Sequence, residues 1–231
     1  YGCTRSNKAT ESKTTRERWV KLCKIVDAKD NPGTGRTIDS TYNELFAAYT
    51  HPHRHYHNLD HISDGLGLID KVWHIAEHPD ILEMAWWWHD FVYQIPLRQK
   101  PVNNKLESGV YAFKVLSELS VPTLFCVKVI ARIMPTLHTY IPDYIDERVM
   151  VDMDLVSLAA PPAVFDTNSE NIRREYFASV EEYRIGRVNF FRKFINGRPS
   201  IYLTKYFHER YEVQAQKNIR DYLAKNGGIN G

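Results

Sequence analysis

With 231 residues, 43% of them hydrophobic and 25% charged, the chain is long enough to bury one large core, which confines intrinsic disorder to its ends. The formal net charge of +2 is too small to argue for nucleic acid. Cys3, Cys23 and Cys126 are far apart and lack any CxxC spacing, which argues against a disulfide framework and a thiolate zinc site and fits a reducing, cytoplasmic compartment.

Helical periodicity runs through most of the chain. Residues 1–15 are rich in Lys, Ser and Thr and read as a flexible tail, and the polar start Tyr1-Gly2-Cys3-Thr4-Arg5 carries no signal-peptide core. Trp19, Leu22, Cys23, Ile25 and Val26 form the apolar stripe of a first helix, ended by Asn31-Pro32-Gly33. A second, capped by Asp39 or Ser40, carries Tyr42, Leu45, Phe46 and Tyr49 before His51-Pro52-His53 breaks it. The third is expected from near Tyr56 through Trp73. The fourth should run from Ile81 to Tyr93, apolar all round at Ala85-Trp86-Trp87-Trp88.

Pro96 to Pro101 reads as a loop, followed by helices over about 103–119 and 122–134 and another from near Asp146. Pro161-Pro162 is the clearest internal break, yet amphipathic helices continue over Ile172–Val180, Glu182–Phe194 and Tyr206–Leu223, with Asn226-Gly227-Gly228 as a frayed end. Strict strand alternation is scarce. The expectation is an all-α fold: one helical domain over 16–225, with a core of about 40–160 and a C-terminal helical extension over 163–225. No stretch reaches the roughly 20 apolar residues of a membrane span.

Three strings carry chemistry: Tyr56-His57-Asn58-Leu59-Asp60-His61, Trp88-His89-Asp90 and Asp152-Met153-Asp154-Leu155. Imidazoles four residues apart share a helix face, and a His-Asp pair with a distant Asp adds the mixed nitrogen and oxygen ligands that divalent transition metals accept. Burying His89 and Asp90 behind three tryptophans is costly without a strong partner. Taken alone, His57 and His61 read better as surface histidines in a stretch with His51, His53 and His55. The His89-Asp90 pair reverses that for His61 and leaves His57 open. Asp152 and Asp154 lie on different helix faces, so at most one is a direct ligand; Asp152 reads as an outer partner or a cap. His74 and His78 read as surface residues, and the tryptophans as core, with Trp88 or Phe91 able to line a pocket mouth.

The order His, His-Asp, Asp on successive helices resembles the HD superfamily of metal-dependent phosphohydrolases. The longer strings Arg54-His55-Tyr56-His57-Asn58-Leu59-Asp60-His61-Ile62, Trp88-His89-Asp90-Phe91-Val92-Tyr93, Ile172-Arg173-Arg174-Glu175-Tyr176, Gly186-Arg187 and Ile201-Tyr202-Leu203-Thr204 resemble a family of predicted HD phosphohydrolases, from about residue 40 to residue 223. The Tyr-His-Asn-x-x-His string is also similar to that of cyclic-nucleotide phosphodiesterases. The resemblance implies an HD helical bundle in which His61, His89, Asp90 and Asp154 are metal ligands, Asp90 is the natural bridge if two ions bind, and His57 is the general acid. One or two divalent ions are expected, from Zn, Mn, Fe, Co, Ni or Mg. A two-ion site would place them about 3.5–4 Å apart.

The chain departs from that family at one place. Where the resemblance leads to Asn-Glu with Ser two residues on, the chain reads Asn104-Lys105-Leu106-Glu107-Ser108, so a cation replaces a carboxylate near the metal. Asn104, Lys105, His138, Arg173 and Arg187 are the candidate substrate contacts, Arg187 foremost; most other C-terminal charges are expected to be solvated or to pair with Glu175, Glu181 and Glu182. The leading expectation is a metal-dependent phosphohydrolase that uses a metal-activated water on a nucleotide or other small phosphoester. The alternatives are an impaired HD domain serving as a metal- or nucleotide-binding regulatory module, motivated by Lys105, and an HD-fold di-iron oxygenase, for which His57 or His138 would supply extra ligands. A homo-oligomer is left open.

Overall fold

A computed structural model of the chain describes residues 5–93, 103–176 and 178–227, with side chains from residue 14 onward. Among these, ten α-helices and two 3-10 turns form, and the one β-type pairing is an isolated bridge between Asn31 and Arg36. The fold is all-α. In chain order the helices are α1 (Arg5–Ile25), α2 (Ile38–Tyr49), α3 (Leu59–Val72), α4 (Pro79–Trp88) and α5 (Asn104–Glu118). There follow α6 (Thr123–Ile133), α7 (Ile145–Leu155), α8 (Pro162–Arg174), α9 (Val180–Asn196) and α10 (Lys205–Asn226).

Helix α4 lies at the centre because its sequence leaves almost no polar face: Ile81, Leu82, Met84, Ala85 and all three tryptophans are buried. It packs against α1, α3, α5, α6 and α7. Trp19 of α1 meets Trp87 and Trp88 edge-on at ring-centroid distances of 5.7 and 6.2 Å, the arrangement ring quadrupoles favour. Helix α3 approaches α4 at Gly65, where an added Cβ would fall 2.0 Å from the Trp86 ring. Only glycine permits that contact. One cluster of buried apolar residues reaches from Trp19 to Ile219, so Phe165, Phe191 and Phe207 of the last three helices share the core of the earlier ones.

Several boundaries differ from the sequence expectation, each for a local reason. The loose tail expected over 1–15 is instead helical from Arg5, and Thr15 is buried with its hydroxyl 2.7 Å from that of Tyr42. Once Trp19, Leu22 and Cys23 dock, the helix extends backwards without a new nucleation cost. Thr37, in a reciprocal capping box with Ser40, caps α2 in place of Asp39 or Ser40. Helix α3 starts at Leu59 rather than near Tyr56, because the Asn58 side-chain oxygen accepts the N–H groups of Asp60 and His61 at 3.0 and 3.2 Å. Helix α4 stops at Trp88, short of Tyr93.

Pro162 opens α8 instead of only breaking the chain, since a first-turn proline gives up no helical hydrogen bond. No helix spans Ile172–Val180: α8 ends at Arg174, and a capping box between Ser179 and Glu182 begins α9. Helix α10 is intact through Asn226 with Gly227 as its cap; Gly228, like the loop expected at Pro96–Pro101, lies outside the described residues. Among the described residues, no helix is long and apolar enough to cross a membrane.

Candidate metal centre

The start of α3 and the ends of α4 and α7 meet. Asn58 caps α3 so that His61, in its first turn, faces inward. His89 is the C-cap of α4: its backbone N–H donates to the Ala85 carbonyl, and its Nδ1–H donates to the Trp86 carbonyl at 2.8 Å. A carbonyl only accepts, so Nδ1 carries a proton and the ring turns Nε2 toward Asp90. Asp154 comes from the last turn of α7.

These elements bring His61, His89, Asp90 and Asp154 together, with one ligand atom from each lying within 4.8 Å of all the others. His61 Nε2 and His89 Nε2 are 3.2 Å apart, and Asp90 Oδ2 is 3.0 Å from His89 Nε2 and 3.8 Å from His61 Nε2. Asp154 Oδ1 is 3.6 Å from His89 Nε2 and 3.8 Å from His61 Nε2. Ligands about 2.0–2.1 Å from a tetrahedral ion stand about 3.3 Å from one another, so these edges fit one ion. Asp90 Oδ2 is buried and has no hydrogen-bond partner. An orphaned carboxylate oxygen pointed into two imidazoles is what a cation would satisfy. The residues fit a divalent ion.

The electrostatics agree. Burial, reinforced by the neighbouring His89, lowers the His61 pKa to about 3, so the ring is neutral and its lone pair is available. Burial is the largest influence on His89 and opposes its charge, yet the charge of Asp90 and the hydrogen bonds of Asp154 and Asp90 together raise its pKa: positive charge is drawn to this spot. Burial alone would raise Asp90 and Asp154, but His89 and Lys105 hold Asp90, and Lys105 and His138 hold Asp154, well below the usual carboxylate range.

Around the quartet, several positions follow the sequence reading and others correct it. His57 lies in the cavity wall but not on a helix face with His61, since Asn58 separates them as a cap. Its Nδ1–H donates to Glu175 Oε2 at 2.6 Å, and Glu175 Oε1 also accepts the backbone N–H groups of Tyr56 and His57 at 2.7 and 3.0 Å. Glu175, expected to pair with a surface Arg, is instead a buried carboxylate that His57 holds below its ordinary pKa against the opposing effect of burial. His138, in a left-handed conformation at φ 56°, donates from Nε2 to Asp154 Oδ2 at 2.9 Å.

Lys105 is not on an open surface. Its Nζ donates to Asp90 Oδ1 at 2.7 Å, and its side chain is 14% exposed. Glu107 is exposed on another face of α5. Asn104, Lys105 and Arg187 line a cavity of about 560 Å³ together with His57, His138 and Asp154. Arg187 stacks over Phe191 at 4.4 Å. Arg173 is not in that lining; it pairs with Glu170 of its own helix at 2.6 Å. Asp152 faces away and accepts from the Leu203 and Thr204 N–H groups at 2.7 and 2.8 Å and from the Thr204 hydroxyl at 2.7 Å, joining α7 to the turn before α10.

Sequence reasoning missed Arg54. Its guanidinium donates to the carbonyls of His57, Asp90 and Phe91 at 3.0, 2.7 and 2.8 Å while stacking between Tyr49 and Tyr93. It thereby clamps the turn before α3 to the turn after α4. An arginine beside a string of histidines was the only local signal.

No family model, curated protein or solved structure matches the chain. The chemistry of the site is read from its own geometry.

Proposed function

We propose that this protein is a metal-dependent phosphohydrolase of the HD type, acting on a small phosphoester such as a nucleotide through a metal-activated water. The observation that carries the reading is the pairing of a two-His, two-Asp quartet with a separate, carboxylate-held imidazole on one cavity wall. A bound divalent ion would supply an acidified water and polarise a phosphoryl oxygen. Mixed imidazole and carboxylate donors favour a transition metal over magnesium.

The chain's own residues would do the rest. Glu175 fixes the Nδ1–H of His57, leaving Nε2 as the atom that passes a proton to the leaving oxygen. Lys105 and Arg187, on the same cavity wall, supply the donors that orient phosphate oxygens. The aromatic rings of Tyr93, Tyr176 and Phe190 in that wall suit a stacked base or another flat group. The cavity volume of about 560 Å³ falls in the range of small-molecule sites.

The Lys105–Asp90 ion pair favours a second reading, in which the domain holds a metal or nucleotide without turnover and serves as a regulatory module. A paired-iron oxygenase would need a further cation at Asp90 Oδ1, where Lys105 donates, and is the weakest of the three. Elemental analysis of purified protein, with hydrolysis assays over nucleotides and generic phosphoesters under added Zn, Mn, Co, Ni, Fe and Mg, separates them. Metal-dependent phosphate release supports the hydrolase. Metal or nucleotide binding without release supports the module.

A further inference from the structure

Asp90 turns its two oxygens to two different sets of partners. Oδ2 turns to the imidazoles of His61 and His89, where it lacks a hydrogen-bond partner, whereas Oδ1 accepts from the Lys105 ammonium at 2.7 Å. A carboxylate that bridges two metal ions through both its oxygens gives one to each. Here the second oxygen is already committed to a fixed positive charge. Asp154 repeats the pattern: Oδ1 turns to the same imidazoles, and Oδ2 accepts from His138.

Position and charge both act against a second ion. An ammonium nitrogen 2.7 Å from Oδ1 stands close to where a metal on that oxygen would sit, at about 2.0–2.2 Å. Two cations so close repel strongly in a buried setting. Displacing Lys105 would leave its charge without a partner, since its side chain is 14% exposed and starts from the first turn of α5. The same ammonium lines the cavity beside Arg187, so it stands where a two-ion clamp would place its second positive charge.

Resting on the metal-dependent reading above, we propose that the centre holds a single divalent ion, bound by His61, His89, Asp90 and Asp154, and that Lys105 takes the place of a second ion. The protein would therefore be a one-ion enzyme with a built-in organic cation, charged to meet phosphate without recruiting a second metal.

The test is Mn2+ stoichiometry, measured on the full chain by elemental analysis after gel filtration and by electron paramagnetic resonance during titration. The unaltered protein is expected to saturate at one Mn2+ per chain with the spectrum of an isolated ion. Two ions per chain, or an exchange-coupled pair, would overturn the one-ion proposal while leaving the metal-dependent reading intact. No bound Mn2+, Zn2+ or Co2+ would remove both. Lys105→Glu is expected to move the ratio toward two. If that variant does not fold, Lys105→Gln, which keeps a hydrogen bond to Oδ1 but not the charge, should take a second, weaker Mn2+ at millimolar concentration. A folded variant that still saturates at one ion shows that Lys105 is not what excludes the second.

Discussion

His57 Nδ1 lies 2.6 Å from Glu175 Oε2, although 118 residues separate the two along the chain. The contact fixes the ring through one nitrogen and leaves the other for proton exchange. His57→Ala should keep the metal and lose about 10²–10⁴-fold in kcat, the usual contribution of a general acid. Glu175→Gln should lower kcat with KM little changed, because it disturbs the orientation of His57 but no phosphate contact. Metal content measured beside kcat decides: loss of metal in His57→Ala would make that residue a ligand.

Asp90→Ala should abolish metal retention. The substitution removes the oxygen nearest His89 Nε2 and leaves the Lys105 ammonium buried without its carboxylate, so a positive charge then faces the ion. Elemental analysis after dialysis checks it, with circular dichroism to confirm the helical fold. Full stoichiometry in a folded variant would dismantle the centre described above.

His61 gives the metal-free protein a pH dependence of known sign. Its pKa is about 3 when folded and about 6.5 when unfolded, so between those values the unfolded chain binds a proton that the folded chain refuses. The stabilisation is fully present above about pH 6.5 and is lost as pH falls toward 3. At pH 5 the loss from this group is roughly 2 kcal/mol relative to pH 7. His89 shifts the other way but is common to both proteins compared. Denaturant melts of chelated wild type and His61→Gln at pH 7 and pH 5 should therefore show the smaller decline in the variant.

Two glycines two residues apart on α3 should behave oppositely. A Cβ on Gly65 would overlap the Trp86 ring, which stacks on His89 at 4.3 Å, whereas one on Gly67 meets nothing within 4 Å. Gly65→Ala should cost about 1–3 kcal/mol or more, with weakened metal affinity as Trp86 pushes on His89. Gly67→Ala should be neutral or stabilise by up to about 1 kcal/mol, because alanine is the better helix former. Thermal melts of the pair, with and without metal, test both signs.

The sequence made the quartet readable because His61, His89, Asp90 and Asp154 each sit in an apolar, periodic string whose polar members need a reason to be buried. The central helix was readable from the same logic applied to Trp86-Trp87-Trp88. What escaped were partnerships without a local signature. Glu175 looked like a surface acid because its adjacent arginines offered pairs, and only the fold brings the Tyr56 and His57 N–H groups to it. Arg54 was hidden for a related reason: all three of its acceptors are main-chain carbonyls, which every residue possesses. Asn58 was legible in principle, since asparagine before an apolar run is a preferred cap, and reading it would have taken His57 off the helix. The identity of Lys105 was noticed, but its reach to Asp90 required the packing of α5 beside the end of α4.

The site is assembled from both sides of Pro161-Pro162, and this sets an order of events during synthesis. The four ligand side chains have all been made once Asp154 is added, but the carboxylate that holds His57 comes 21 residues later and the Leu203–Thr204 turn that secures Asp152 later still. A nascent or truncated chain ending before Glu175 would thus own all four side chains of the quartet and no anchor for His57. Proteolysis within α8, ahead of Glu175, would separate the two capacities in the same way, so that intact metal content would be a poor measure of an intact site.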